Sequence, residues 1–305
     1  MRDFVIRRLL QGLLTLWIVS MVIFLLVRVS GDPTFLLLEI GAPQSEVEAM
    51  RVKLGLDKPL VVQYGIFIGN IFRGDFGMSQ IFHQSCLELY LDRLPATIQL
   101  VAVGASLAFS IGIVLGVLSA LKVGGFVDTF GKGFAFLGLA IPGFWLGLML
   151  IMVFSVYLRV LPTSGRGGID HLIMPSICLG FHMCAAYLRL SRSSLLEVLG
   201  SDFIRFARIK GLTEILVVGK HALKNASIPI LTYAGIQLVH ILNGVVVIEV
   251  VFGWPGTGRL LYQAIWARDY ALMQTITLIT AVMMIGMSLV VDILYAYIDP
   301  RIRLG

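Results

Sequence analysis

Apolar residues along this chain gather in long blocks, unlike the short alternations of a soluble core, and those blocks define its elements. Crossing the hydrocarbon of a bilayer takes roughly 20 mostly apolar residues of helix. Six segments meet that length: 9–29, 97–121, 134–158, 172–190, 226–251 and 271–298. The pattern predicts an all-α membrane protein with six transmembrane helices. Arg2, Arg7 and Arg8 precede the first block as they would in a secretion signal. However, Leu9–Val29 is too long for a signal core, and Ser30-Gly31-Asp32-Pro33 offers no small-x-small cleavage site, so this segment reads as a retained span.

The connections divide the chain into three parts. Residues 1–96 hold the first span and a long polar segment, Gly31–Ala96. Residues 97–298 form a five-helix core with a long connection at 191–225, and residues 299–305 are a tail. Within the first part, Ser45 followed by Glu48 predicts a capping box, and a second short helix is expected over Pro59–Ile71. Ala108, Gly112 and Gly116 put small residues on one face of the second span, where another helix can approach closely. Ile141-Pro142-Gly143 must interrupt the third span, because Pro142 has no N–H and its ring clashes with the preceding turn. Pro175 and Pro229 are expected in first turns, where proline costs little.

Charge orients these spans. The second and fourth connections, carrying Lys122, Lys132, Arg192, Arg205, Arg208, Lys210, Lys220 and Lys224, lie on the side of the basic termini, and the short third and fifth connections opposite carry only Arg159, Arg166, Arg259 and Arg268. By the positive-inside rule both termini are cytoplasmic, Gly31–Ala96 is external and 191–225 is internal. The net charge of +6 is thus a topology signal and gives no footprint for nucleic acid. A composition of 58% hydrophobic and 14% charged residues fits this reading.

Enzyme chemistry finds no support. Gly125–Lys132 falls short of a phosphate-binding loop, because five residues separate Gly125 from Gly131 and Gly133 stands where Ser or Thr must bind magnesium. Gly74-Asp75-Phe76-Gly77 spells a kinase magnesium motif without its companions. Cys86, Cys178 and Cys184 imply no disulfide or zinc framework, and His182-Met183 lacks further ligands at helical spacing, so no metal is expected. In the fifth span Gln237, His240 and Asn243 step by three residues along one face, either lining a polar pathway or bonding to a neighbouring helix.

The most informative connection reads Ser201-Asp202-Phe203-Ile204-Arg205-Phe206-Ala207-Arg208-Ile209-Lys210-Gly211-Leu212. Ser201 or Asp202 can cap a short helix and Gly211 can stop it, with Phe203, Phe206, Ala207 and Lys210 on one face and Arg205 and Arg208 beside them. An uncovered apolar helix implies either a docking partner or a bed in lipid headgroups.

These residues, with His221, Leu223, Asn225, Ala226, Ile228 and Pro229, resemble the loop of the permeases of bacterial peptide and nickel ATP-binding-cassette importers, first-permease type. Phe203, Phe206 and Lys224 depart from the Tyr, Thr and Arg usual there. The resemblance extends through Gly31-Asp32-Pro33, Leu54-Gly55-Leu56-Asp57, the block Phe252–Leu260 (with Trp254, Pro255, Gly256 and Arg259), Arg268-Asp269-Tyr270 and Asp299-Pro300-Arg301. It implies a type I importer permease fold in the cytoplasmic membrane of a prokaryote. It also implies a coupling helix comprising Asp202, Phe203, Arg205, Phe206, Ala207, Arg208, Lys210 and Gly211, docked on a separate ATPase subunit. Implied partners are a homologous second permease, two ATPases that hold the ATP and magnesium, and an external solute-binding protein. Trp254, Pro255, Gly256, Arg259, Arg268 and Asp269 would form an external gate or contact that protein. Small peptides are the expected cargo, with glutathione, nickel or metal chelates as alternatives. An ion-coupled secondary transporter, the reading from another class, should show inverted repeats with broken helices, and none is visible.

Overall fold

The structure is a computed structural model that describes residues 2–29, 34, 43–53 and 55–298 of the chain. Its helices are α1 (Arg2–Val29), α2 (Gln44–Lys53), α3 (Leu60–Phe72), α4 (Cys86–Leu121), α5 (Phe126–Ala140) and α6 (Gly143–Leu150), the last continuing as a π-helical turn over Ile151–Tyr157. Then come α7 (Ile169–Leu199), α8 (Asp202–Ile209) and α9 (Glu214–Leu216), whose π-helical extension Val217–Ala222 runs into α10 (Leu223–Val251), followed by α11 (Thr257–Trp266) and α12 (Tyr270–Ile298). Among the described residues five helices are long and apolar enough to cross a membrane, and α5 with the helix that follows it makes a sixth if the pair is one span. The protein is therefore the expected all-α, multi-span molecule.

Several boundaries differ from expectation, for physical reasons. The second span begins at Cys86 and not near residue 97, because Glu88, Asp92 and Arg93 lower the hydropathy without breaking the helix. Pro175 and Pro229 lie inside helices and not in first turns, since α7 starts at Ile169 and the helix containing α10 starts at Glu214, both ahead of the apolar block. The capping box at Ser45 does not form. Instead the Pro43 carbonyl accepts from the N–H groups of Glu46 and Val47 at 2.9 and 3.3 Å, which places Ser45 inside the first turn. The third span is not kinked but broken, with a bend of 106° between Phe126–Ala140 and Gly143–Tyr157. Ile141 and Pro142 both adopt extended backbone there, as expected for a proline and the residue before it.

The chain divides into two compact units, Met1–Pro95 with Gly256–Leu289 and Ala96–Pro255 with Val290–Gly305. In the first, Cys86, Leu89 and Tyr90 of α4 pack with Leu260 and Ala264 of α11 and with Leu272 and Ile276 of α12. Asp269 is the polar anchor of this unit. Its Oδ1 accepts from the Leu272 N–H at 3.2 Å and so caps α12, while Oδ2 accepts from the Ser79 hydroxyl at 2.6 Å and the Gln80 N–H at 2.8 Å.

In the second unit α7 is central. The small residues of α4 lie against it as the sequence predicts: a Cβ on Gly112 would stand 2.7 Å from the Cys184 carbonyl and the Tyr187 Cβ. One on Gly116 would stand 2.6 Å from the Leu188 carbonyl and 2.7 Å from the Ser191 Cβ. Only glycine allows that approach. On the α5 side, a Cβ on Gly138 would strike the Ala185 Cβ. Tyr187 also meets Phe109 and Tyr233 edge-on, with ring centroids 5.5 and 5.4 Å apart.

Candidate functional site

α8 is built like a plug with one wet side. Ile204 and Ala207, three residues apart, are buried in a cluster with Ala120, Leu195, Val217, Ala222 and Ala226. Phe203, Phe206 and Ile209 are exposed at 44%, 64% and 79%. Ala207 therefore does not share the exposed face with Phe203 and Phe206, as the sequence reading had it; it belongs to the root, and Ile209 takes its place outside. The helix ends in a Schellman motif: the Gly211 N–H donates to Arg208 O at 2.9 Å and the Leu212 N–H to Ala207 O at 3.4 Å. Gly211 holds φ +78°, a value that a side chain resists. Ser201 occupies the N-cap position, but its hydroxyl donates to Val198 O at 2.5 Å and does not accept from α8. Arg208 is paired with Glu214, Nε to Oε1 at 2.7 Å, and Arg205 lies 3.5 Å from the Asp202 carboxylate. Lys210 projects beyond the last turn and is exposed.

The second feature is a cavity of about 460 Å³ between α6, α7 and α10. Gln237 and His240 line it, as does His182 of α7, and Tyr233 adds a phenol. Asn243 belongs to the same helix, but its side chain lies outside the described residues. No Asp, Glu, Lys or Arg lines this cavity, and no group of three or more His, Cys, Asp and Glu in the described residues is arranged to hold a metal. Two side chains of α7 reach the broken third span here. His182 Nδ1 is 3.1 Å from Gly138 O, and the Cys178 thiol donates to Gly143 O at 2.8 Å.

The residues expected at an external lip divide into two groups. Trp254 and Asp269 are fully buried and Gly256 is buried, so these three cannot offer a surface to a partner. The Trp254 indole N–H donates to Ala96 O at 2.8 Å, and the Arg166 guanidinium lies 5.9 Å over its ring, so this residue acts as a packing post. Arg268 is exposed, with φ +55°, and Pro255 and Arg259 are partly exposed.

One cluster escaped the sequence reading altogether. Asp128, fully buried in the first turn of α5, accepts from Arg192 Nε at 2.6 Å, from Lys132 Nζ at 2.8 Å and from the Gly124 N–H at 2.9 Å. It ties α5 to α7 one turn before Leu195, which is part of the cluster that roots α8. The only available signal was an acidic residue in an otherwise basic short connection.

The comparisons with known proteins agree with this architecture. The family described as binding-protein-dependent transport system inner membrane component matches residues 112–304, and the corresponding N-terminal family matches residues 1–101. The chain is 40% identical over 304 residues to the glutathione transport system permease protein GsiC of Escherichia coli strain K12, covering 99% of both chains, and to that of Shigella flexneri serotype 5b to the same extent. Among solved structures, the MetNI methionine ABC transporter in inward-facing conformations aligns with a TM-score of 0.58 at 19% identity, over 70% of this chain and 97% of that one. An amino acid ABC transporter with histidines aligns at 0.57 and 16%, over 69% and 94%. At such identities the likeness is one of fold. Taken with the matches over nearly its whole length, it places this chain in the binding-protein-dependent transport system inner membrane component family, as a permease subunit of an ATP-binding-cassette importer and not an enzyme.

Proposed function

We propose that this chain and a homologous second permease together line a pathway for small peptides, tripeptides of the glutathione kind among them, through the cytoplasmic membrane. Both termini and the 191–225 connection face the cytoplasm, where α8 docks on one of two ATPase subunits that bind ATP and magnesium. A solute-binding protein delivers cargo outside. The cavity bearing Gln237 and His240 is part of the pathway. ATPase closure draws the docked helices together and rocks the bundles between inward and outward openings.

The observation that carries this reading is the two-sided construction of α8. Ile204 and Ala207 fix it to the permease core, and three large apolar side chains are left uncovered on a helix flanked by cations. Each such side chain contributes roughly 1.5–3 kcal/mol when fully buried, enough in sum to hold a partner subunit. The peptide assignment is supported by the 40% identity to permeases that serve glutathione transport.

Replacing Phe206→Asp tests it, because this removes docking surface without touching the root. Membrane insertion should be unchanged, while the ATPase no longer co-purifies and uptake falls at least tenfold. Normal uptake with bound ATPase would reject α8 as the coupling helix. In a background with Cys86, Cys178 and Cys184 replaced, Met78→Cys should label from outside intact cells and Lys210→Cys only after permeabilisation. Water-soluble thiol reagents should reach Gln237→Cys and His240→Cys and spare Ile236→Cys, which is exposed but off the cavity.

A further inference from the structure

The joint between α5 and α6 sets up a chemical demand that one residue meets. In an unbroken helix the N–H of residue 142 would donate to the carbonyl of Gly138. Pro142 has no N–H, so that carbonyl loses its donor, and Gly138 is itself buried. His182 supplies the bond from another helix, with Nδ1 3.1 Å from Gly138 O. A carbonyl only accepts, so Nδ1 carries the proton, and in the neutral ring Nε2 presents a lone pair. Nε2 makes no hydrogen bond to the described residues, and His182 lines the cavity.

We propose that His182 is a cargo-binding residue whose Nε2 accepts a hydrogen bond from an N–H of the transported solute, in a tautomer and orientation fixed by the Pro142 joint. The ligand class follows from the lining. With no charged residue in its lining, a cavity offering an imidazole acceptor, the Gln237 carboxamide, the Tyr233 phenol and the His240 ring suits a molecule rich in amide N–H groups. It does not suit a hydrated metal ion, which needs carboxylates or a cluster of ligands. The joint makes the orientation dependable. Cys178, one turn before His182, holds Gly143 O on the far side of the break, so both halves of the broken span are pinned to the same strip of α7. The imidazole is thus held from behind and free in front.

This inference rests on the cavity belonging to the pathway, and the test separates the two. The complete transporter, with its partners, is offered a mixture of di- to tetrapeptides that includes glutathione, and uptake is quantified by mass spectrometry. His182→Asn keeps an amide N–H close to the Nδ1 position and deletes the Nε2 acceptor. It should raise the half-saturation concentration about tenfold with maximal uptake retained, as expected for the loss of one hydrogen bond to a polar or charged donor. His182→Phe deletes both functions and should also cut maximal uptake. Among N-methylated versions of the best cargo, the one blocked at the contacting N–H should be taken up with the same half-saturation by the original chain and by His182→Asn. If His182→Asn leaves half-saturation unchanged while Gln237→Ala or His240→Ala raises it, the cavity conducts but His182 serves the joint alone, and the proposal is overturned. If none of the three substitutions moves it, the pathway assignment fails and takes the proposal with it. Wild-type uptake of no peptide in the mixture would reject the peptide reading itself.

Discussion

Two faces of α7 do opposite jobs with opposite chemistry. At about 100° per residue, Cys184, Tyr187, Leu188 and Ser191 lie on one side of the helix, and Cys178, His182 and Ala185 are centred roughly 140° round from them. The first side is a dry seam, where Gly112 and Gly116 of α4 bring backbone against backbone with no room for a methyl group. The second side holds a helix that has been broken: Gly138 packs tightly on Ala185 before the break, but the ends at the break are held by single polar bonds from His182 and Cys178 next to a cavity. Close packing resists graded movement, because any displacement loses many small contacts together. A few hydrogen bonds across a joint can be remade in another geometry. The seam is therefore suited to moving as one body and the joint to changing shape.

The largest effect should come from the seam. Gly116→Leu forces four carbon atoms into a space where even the first would sit 2.6 Å from a main-chain oxygen. Overpacking of this kind costs on the order of 3 kcal/mol. Little folded protein should survive detergent extraction, as read by size-exclusion chromatography and thermal melting. Wild-type melting in Gly116→Leu would show that the two helices are not locked, and the contrast between the faces would collapse.

An intermediate effect belongs to Asp128, which anchors α5 to α7 between the two extremes. Asp128→Asn keeps the shape and an acceptor for the Gly124 N–H but withdraws the charge facing Arg192 and Lys132. The melting temperature should fall, though less than for Gly116→Leu. Because α5 is now loosely held while the α8 root is intact, ATP hydrolysis by the assembled complex should continue with reduced uptake. Arg192→Lys should lose less, since an ammonium still meets the carboxylate but not through a planar fork. Equal loss of hydrolysis and uptake would make Asp128 a plain folding residue.

What the sequence disclosed tracks the same contrast. The seam was legible because small residues at four-residue spacing have a single strong meaning on an apolar helix. The stop at Gly211 and the interruption at Pro142 were legible for the same reason, as local backbone chemistry dictates both. Of the α8 face, Phe203 and Phe206 were placed outside correctly. Ala207 was placed there wrongly, because spacing within eight residues cannot say which edge a neighbouring helix covers. The joint's partners were not legible at all. Nothing local marks His182 as the donor for a carbonyl 44 positions earlier, or Asp128 as the acceptor for Arg192. Likewise Trp254 and Asp269 look like lip residues in a Pro-Gly-rich stretch until their buried bonds to Ala96 and Ser79 are seen.

The smallest effect should come from Cys178, and its smallness is informative. Its thiol donates to Gly143 O at 2.8 Å, and with the His182 bond to Gly138 O it is one of the two bonds described from α7 to the helix ends that flank the break. A thiol is a weak donor, and interhelical hydrogen bonds in membranes average only about 0.6 kcal/mol. Cys178→Ser keeps a donor of similar size and should melt almost as the parent does. Cys178→Ala should cost about 0.6 kcal/mol for the bond, together with the loss of a few van der Waals contacts, well below the cost of Gly116→Leu. Transport is the sharper readout. If the joint works by changing shape, removing one of its two pins should alter the uptake rate more than it alters melting, and Cys178→Ser should restore the rate. A Cys178→Ala transporter that melts several degrees lower yet transports normally would mean that this side of α7 is as rigidly packed as the other.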